Sequence, residues 1–443
     1  MNTLSPLFTD LYELTMAAGY FAQGIDAPAT FSLYLRNQET RGFYVAAGLE
    51  AALSQLAQWT FAESDLAYLE RTGLFGPDFL DHLRKLRFSG DVRALPEGTI
   101  FFAEEPLLEV TAPMIQAQLL ETYLLNVLGL ATLIATKAAR CVHAAQGRGL
   151  IDFALRRTQG ADAGMVVARS TYLAGFDATS NVLAGHRYGI PVAGTMAHSF
   201  VQAFDQEIEA FRAYARLFPQ RTILLIDTYD TLEGARKAVQ VALEMQAAGH
   251  QLQGVRLDSG DLFTLSRQVR KIFDAAGLAH VKIFASGGID EYKLAEAVTQ
   301  TVPIDAFGVG TIVGVSADAP YLDAVYKLVH YADRDVRKLS TGKATLAGAK
   351  QVFRKFDAEG KFFSEDVLGD RDERIDNARP LLQLVMQAGR QIVPNPELQE
   401  IRRAFKEAFG QLPESYKQLA TAPLYPVHLS TKLQEIQDEV ARS

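Results

Sequence analysis

The stretch Pro191-Val192-Ala193-Gly194-Thr195-Met196-Ala197-His198-Ser199 ends a short apolar run on a glycine, a hydroxyl and an imidazole. A histidine just beyond a buried strand stands at the mouth of a sheet, where it can serve as base, nucleophile or phosphate acceptor. No second histidine lies at i+2 or i+4 and the single cysteine is remote, so His198 does not read as a zinc ligand. A lone histidine among eight is otherwise a structural residue, and its neighbours argue for more.

Four further segments carry chemistry. Leu225-Ile226-Asp227-Thr228-Tyr229-Asp230-Thr231 ends a strand on two carboxylates. A carboxylate beside an imidazole fixes its tautomer and raises its basicity, and Asp227 is the candidate because Asp230 or Thr231 can simply cap the next helix. In Gly254-Val255-Arg256-Leu257-Asp258-Ser259-Gly260-Asp261, Arg256 and Asp258 share one side of a strand. The guanidinium can hold a carboxylate bidentately. Asp258 can accept from sugar hydroxyls or bind magnesium, and a plain salt bridge between the two is the simpler alternative. Ser286-Gly287-Gly288 and Gly308-Val309-Gly310-Thr311 are glycine-bearing loops whose successive N–H groups can nest an anion, favouring a phosphorylated ligand.

The elements that must position these residues are short apolar runs: Gly149–Phe153, Ala174–Asp177, Ile190–Thr195, Thr222–Asp227, Gly254–Asp258, Val281–Ser286 and Asp305–Gly310. Apolar on both alternating sets, they suit strands buried on both faces of a parallel sheet. Helical segments opening at Thr231, Asp261 and Asp290 lie between the later ones. Strand, loop and helix recurring in this way predict an α/β barrel or part-barrel. The C-terminal ends then bring Asp152, Asp177, Thr195, His198, Asp227, Arg256, Asp258, Ser286, Gly308 and Thr311 to one face, where barrels build substrate sites.

The flanks differ. Strand-like pieces such as Ala29–Arg36, Gly98–Val110 and Gln351–Arg354, with charged amphipathic helices at the C-terminal end, predict a second α+β domain built from both flanks. The boundaries expected are an N-terminal segment over residues 1–112, a catalytic barrel over 113–330 and a C-terminal segment over 331–443 packing with the first. With 443 residues, 48% of them hydrophobic, more than one compact unit can form. A net charge of -8 offers no footprint for nucleic acid. No uninterrupted apolar stretch suggests a membrane span, and Cys141 alone excludes an internal disulfide framework, so a cytoplasmic protein is expected. Cys141 itself, in a small-residue helical pattern, reads as core.

Taken together, Phe8–Met16, Arg41-Gly42-Phe43, Ala47-Gly48-Leu49, Asp152–Arg157, Gly175–Asn181, Gly194–Ser199, Arg256–Asp261 and Gly308–Thr311 resemble the nicotinate phosphoribosyltransferases over most of the chain. The resemblance implies an irregular α/β barrel of the type II phosphoribosyltransferase kind. It also implies ATP-coupled transfer of 5-phosphoribosyl from phosphoribosyl pyrophosphate to nicotinate, with magnesium. It implies that His198 is phosphorylated by ATP and that Asp227 orients it. Arg256 and Thr195 would hold the pyridine carboxylate, Asp258 ribose or magnesium, Arg156 an anionic group, and Gly287, Gly288, Gly310 and Thr311 the 5-phosphate. Asp177 joins the substrate-binding set. Tyr12, which by itself reads as core at the start of an amphipathic helix, would stack on the ring from across a homodimer interface. Ala197, where nicotinamide enzymes carry an acidic residue, favours the nicotinate branch. A nicotinamide- or quinolinate-specific relative, or a non-catalytic phosphosugar-binding protein on the same fold, is the alternative.

Overall fold

A computed structural model of the chain describes residues 4–38, 40–340, 345–420 and 423–442. The chain divides into two compact units, one of residues 1–136 with 321–443 and the other of residues 137–320.

The first unit is built on an antiparallel sheet in which Pro28–Leu35 lies between Pro106–Pro113 and Ala324–Tyr331. All but the first residue of Pro28–Leu35 are buried, as a strand covered on both faces requires. A four-stranded sheet of Lys350–Phe356, Phe363–Asp370, Ala378–Pro380 and Val427–Leu429 belongs to the same unit, so both flanks do build one α+β domain. Its limits correct the expected 112 and 330. Met114, Ile115, Leu119, Leu120, Tyr123, Leu124 and Leu128 pack in the same apolar cluster as Phe31 and Leu33, and Ala324–Tyr331 is a strand of this unit's sheet. Hydrophobic continuity decides the division.

The segment Met114–Ala145 is long and apolar enough by composition to cross a membrane, which the interrupted sequence did not suggest. Asn126, Thr132 and Thr136 break the apolar run without making the helix polar. With 67% of its most apolar window buried inside the protein, it has the burial of a core helix.

The second unit carries six parallel strands: β1 (Gly149–Asp152), β2 (Ala178–Thr179), β3 (Ile223–Leu225), β4 (Gly254–Leu257), β5 (Lys282–Ser286) and β6 (Ala306–Val309), in the order β2-β1-β6-β5-β4-β3. Leu224, Val255, Ile283, Ala285 and Val309 are fully buried, so the two-sided apolar pattern reports a covered parallel sheet. Helices follow the later strands, capped by Asp230, Asp261 and Asp290, whose carboxylates accept from the first-turn N–H groups.

Four strand spacings separate β1 from β3, about 19 Å in a flat sheet. Yet Ile151 of β1 and Ile223 of β3 line the same cavity, so the sheet is rolled. Among the described residues no pairing joins β2 to β3, although a parallel bridge from Thr179 to Val192 extends the β2 side. The result is the irregular α/β barrel expected, open along one seam.

Candidate active site

The cavity inside the rolled sheet has a volume of about 230 Å³ and is lined by Ile151, Phe153, Thr195, Arg256 and Phe284, among others. Its polar feature is built by β4. Arg256 projects inward and its Nη1 donates to Thr195 Oγ1 at 2.6 Å, while its Nε is buried without a hydrogen-bond partner. Burial pulls the Arg256 pKa below its ordinary value, opposed by Asp258 and Asp227. A desolvated guanidinium with a spare donor, in a cavity also lined by Phe153 and Phe284, suits a small flat anion. Gly308 is required for this wall: a Cβ there would stand 2.4 Å from the Phe153 ring.

His198 opens the short helix His198–Gln202 and keeps 39% of its side chain exposed. Its Nδ1 meets Thr228 Oγ1 at 3.2 Å, and its Nε2 lies 4.0 Å from Asp258 Oδ2. The partner expected from the resemblance, Asp227, is not the one bound. Asp227 Oδ2 accepts from the Asp258 N–H at 2.8 Å and the Ser259 hydroxyl at 2.7 Å, and its Oδ1 is buried without a partner. The physical reason is competition: the Asp258–Ser259 turn presents two donors directly at the end of β3, and a nearly buried carboxylate takes them. Thr228, which sequence reasoning passed over, holds the imidazole instead. Its signal was faint, a hydroxyl one residue past the strand-end aspartate.

Asp258 Oδ1 accepts from Ser286 Oγ, which ties the end of β4 to that of β5. Beyond Ser286, Gly287 and Gly288 adopt φ of +94° and +63°, and a Cβ on Gly287 would stand 2.4 Å from the Asp258 carbonyl oxygen. The Ser286–Gly308 register sets this loop beside the one that carries Gly310 and the exposed Thr311. The two glycine loops expected to hold an anion are therefore neighbours, and the first adjoins the Asp258 turn.

Other predicted residues fall elsewhere. Arg156, in the turn Leu155–Arg157 after Phe153, is exposed, and its charge is felt by Arg256. Asp177 is corrected: it precedes β2 instead of ending a strand, and its Oδ2 accepts from the Leu150 N–H at 3.0 Å near the start of β1. The apolar run Ala174–Phe176 before it is the turn that leaves the helix Ala161–Leu173, so the strand starts at Ala178, just after the run that was expected to form it. At the opposite end of β1, Asp152 accepts from Thr179 Oγ1 and the Ala154 N–H, and burial raises its pKa. Tyr12 is in the other unit, on the helix Leu11–Gln23, and is 46% exposed. Burial of part of its ring and the carboxylates of Glu121 and Glu13 raise its pKa.

A rolled parallel sheet with a buried arginine in its cavity, and glycine loops and an imidazole near its strand ends, suits an enzyme of anionic ligands. Known proteins agree. The model of the nicotinate phosphoribosyltransferase (NAPRTase) family matches residues 149–329, with its N-terminal domain over 7–129 and its C-terminal domain over 376–437. A nicotinate phosphoribosyltransferase of Mycobacterium tuberculosis is 46% identical over 96% of this chain and 92% of its own, and that of Bacillus subtilis is 37% identical over 98% and 96%. The crystal structure of human nicotinic acid phosphoribosyltransferase superposes with a TM-score of 0.88 at 32% identity, covering 98% of this chain and 99% of that one. The chain belongs to the nicotinate phosphoribosyltransferase family.

Proposed function

We propose that the protein transfers 5-phosphoribosyl from phosphoribosyl pyrophosphate to nicotinate, releasing nicotinate mononucleotide and pyrophosphate in NAD salvage. The observation that carries this reading is the Arg256–Thr195 pair in a narrow aromatic-walled cavity, with a guanidinium donor left for a carboxylate. The pyridine nitrogen supplies its lone pair to C1 as the C1–O bond to pyrophosphate breaks, and pyrophosphate departs with the bonding pair. No proton need move. Catalysis therefore consists of positioning the ring nitrogen and stabilising the leaving charge.

Magnesium fits the residues present. Asp258 is part-exposed and Asp227 keeps an unpartnered buried oxygen, yet the described residues hold no cluster of three or more metal-binding side chains. Such a pair of carboxylates suits an ion that arrives with the substrate's phosphates. When bound, magnesium would neutralise pyrophosphate charge.

ATP coupling is part of the proposal. With Nδ1 engaged by Thr228, Nε2 of His198 is the nitrogen that takes a phosphoryl group from ATP: the N–P bond forms as the bond to ADP breaks, and water later cleaves the phosphohistidine. A phosphorylated state changes ligand affinity only by binding the substrates differently. A homodimer, with Tyr12 of a second copy closing on the ring, completes the reading, and the exposure of Tyr12 supports it. The single buried cysteine suits a cytosolic setting.

Incubation with nicotinate, phosphoribosyl pyrophosphate and magnesium, with and without ATP, tests the reaction, and absence of nicotinate mononucleotide ends it. His198→Ala is expected to abolish the ATP stimulation and leave a slow ATP-independent rate. Equal loss of both would remove the phosphohistidine role, as would the absence of acid-labile phosphate on the enzyme after ATP.

A further inference from the structure

The second unit also buries a set of charges that neither the cavity nor the histidine uses. Lys137 and Arg140 stand three residues apart on the helix Glu121–Ala145 and so share a face, with side chains 1% and 2% exposed. Lys137 Nζ forms an ion pair with Glu291 Oε2 at 2.5 Å and donates to Asp318 Oδ1 at 2.6 Å. Arg140 Nε donates to Glu291 Oε1 at 3.0 Å and its Nη2 to the Tyr292 hydroxyl at 3.3 Å. Two cations face two carboxylates, one of them fully buried. Buried ion sets of this kind are weak stabilisers relative to apolar packing, because desolvation offsets their attraction, so their use lies in the geometry they impose.

That geometry is specific. Glu291 is the first residue of the helix Glu291–Thr299, and the segment 287–290 alone separates it from Ser286. Asp318 lies just beyond the turn Thr311–Gly314 that follows Gly310. The upstream ends of both glycine loops are held by strand pairing, Ser286 beside Gly308. One ammonium group therefore grips the downstream ends of both.

We propose that Lys137, supported by Arg140, is a positioning residue for phosphoribosyl pyrophosphate: it sets the separation of the Gly287–Gly288 and Gly310–Thr311 loops and thereby the affinity for the sugar 5-phosphate. This rests on the reading that those loops hold that phosphate. Lys137 acts through the backbone of the two loops, so its removal weakens one substrate and spares the other.

Steady-state kinetics of the full-length enzyme test it. Asp318→Asn leaves both pairs to Glu291 in place and alters a side chain 23% exposed, so a folded protein is expected. It should raise the KM for phosphoribosyl pyrophosphate about tenfold, the scale of an outer-shell contact, while kcat and the KM for nicotinate hold. Lys137→Met, checked for folding by circular dichroism, should show the same split more strongly. An unchanged KM for phosphoribosyl pyrophosphate in Asp318→Asn, or an equal rise in both KM values, overturns the proposal, whether or not Lys137→Met folds. Thr311→Ala reports on the loop itself. If it raises that KM and Asp318→Asn does not, positioning by Lys137 fails and the phosphate-loop reading stands; if neither variant does, the phosphate-loop reading fails with it.

Discussion

Two contacts between a carboxylate and a basic side chain, one in each unit, show how differently a scaffold and a site use such pairs. In the first unit, Arg354 and Asp366 meet at 2.5 Å with side chains 3% and 0% exposed, the guanidinium also reaching the Ile100 carbonyl and lying over the Phe363 ring. In the second, His198 Nε2 and Asp258 Oδ2 stand 4.0 Å apart, each more than a third exposed. The first pair is saturated and dry, and its work is to hold sheets in place. The second is loose and exposed, its Nε2 and Oδ2 too far apart for a direct hydrogen bond and both side chains accessible from outside. Tight burial marks structure here, and incomplete satisfaction marks chemistry.

Breaking the tight pair should have the largest effect. Arg354→Met leaves Asp366 buried without its cation and is expected to cost about 3–5 kcal/mol of stability, read from the denaturant midpoint. A loss near zero would show that the pair does not hold the unit. Next comes Arg256→Ala, which removes the spare donor of the cavity. Loss of a buried charge partner for the substrate carboxylate is worth roughly 2–5 kcal/mol, so the KM for nicotinate should rise by about two orders of magnitude or more while that for phosphoribosyl pyrophosphate changes little. Parallel rises would move Arg256 out of the pyridine site. The smallest effect sharpens the loose pair: Thr228→Val deletes the hydroxyl on His198 Nδ1 and should lower the ATP stimulation about tenfold, as loss of an orienting partner does, with the ATP-independent rate intact. Unchanged stimulation would mean that Thr228 does not orient the ring.

Much of the second unit was legible in the chain, because burial on both faces forces apolar residues at every strand position and leaves polar ones at the ends. Thr195 and Arg256, which the resemblance assigned to one ligand group, do meet. The Asp230, Asp261 and Asp290 caps were readable for the same reason, being interactions within a few residues. Asp177 was not, since a two-residue strand has too short a pattern to show its direction. Nor was the division of the helix Glu121–Ala145 between units, which depends on what each stretch packs against.

By itself the sequence determined the parallel-strand architecture, the family, and the roster of groups at the strand ends. The architecture and the strand-end groups are local properties, set by side-chain periodicity, capping and glycine placement, while the family is carried by ordered motifs along the chain. The tertiary structure decided who meets whom: Thr228 rather than Asp227 at the imidazole, Asp227 on the Asp258–Ser259 turn, and Lys137 across Glu291 and Asp318. Such choices follow from the roll of the sheet and from competition among nearby donors for each buried carboxylate, and neither is written in the spacing of residues along a chain.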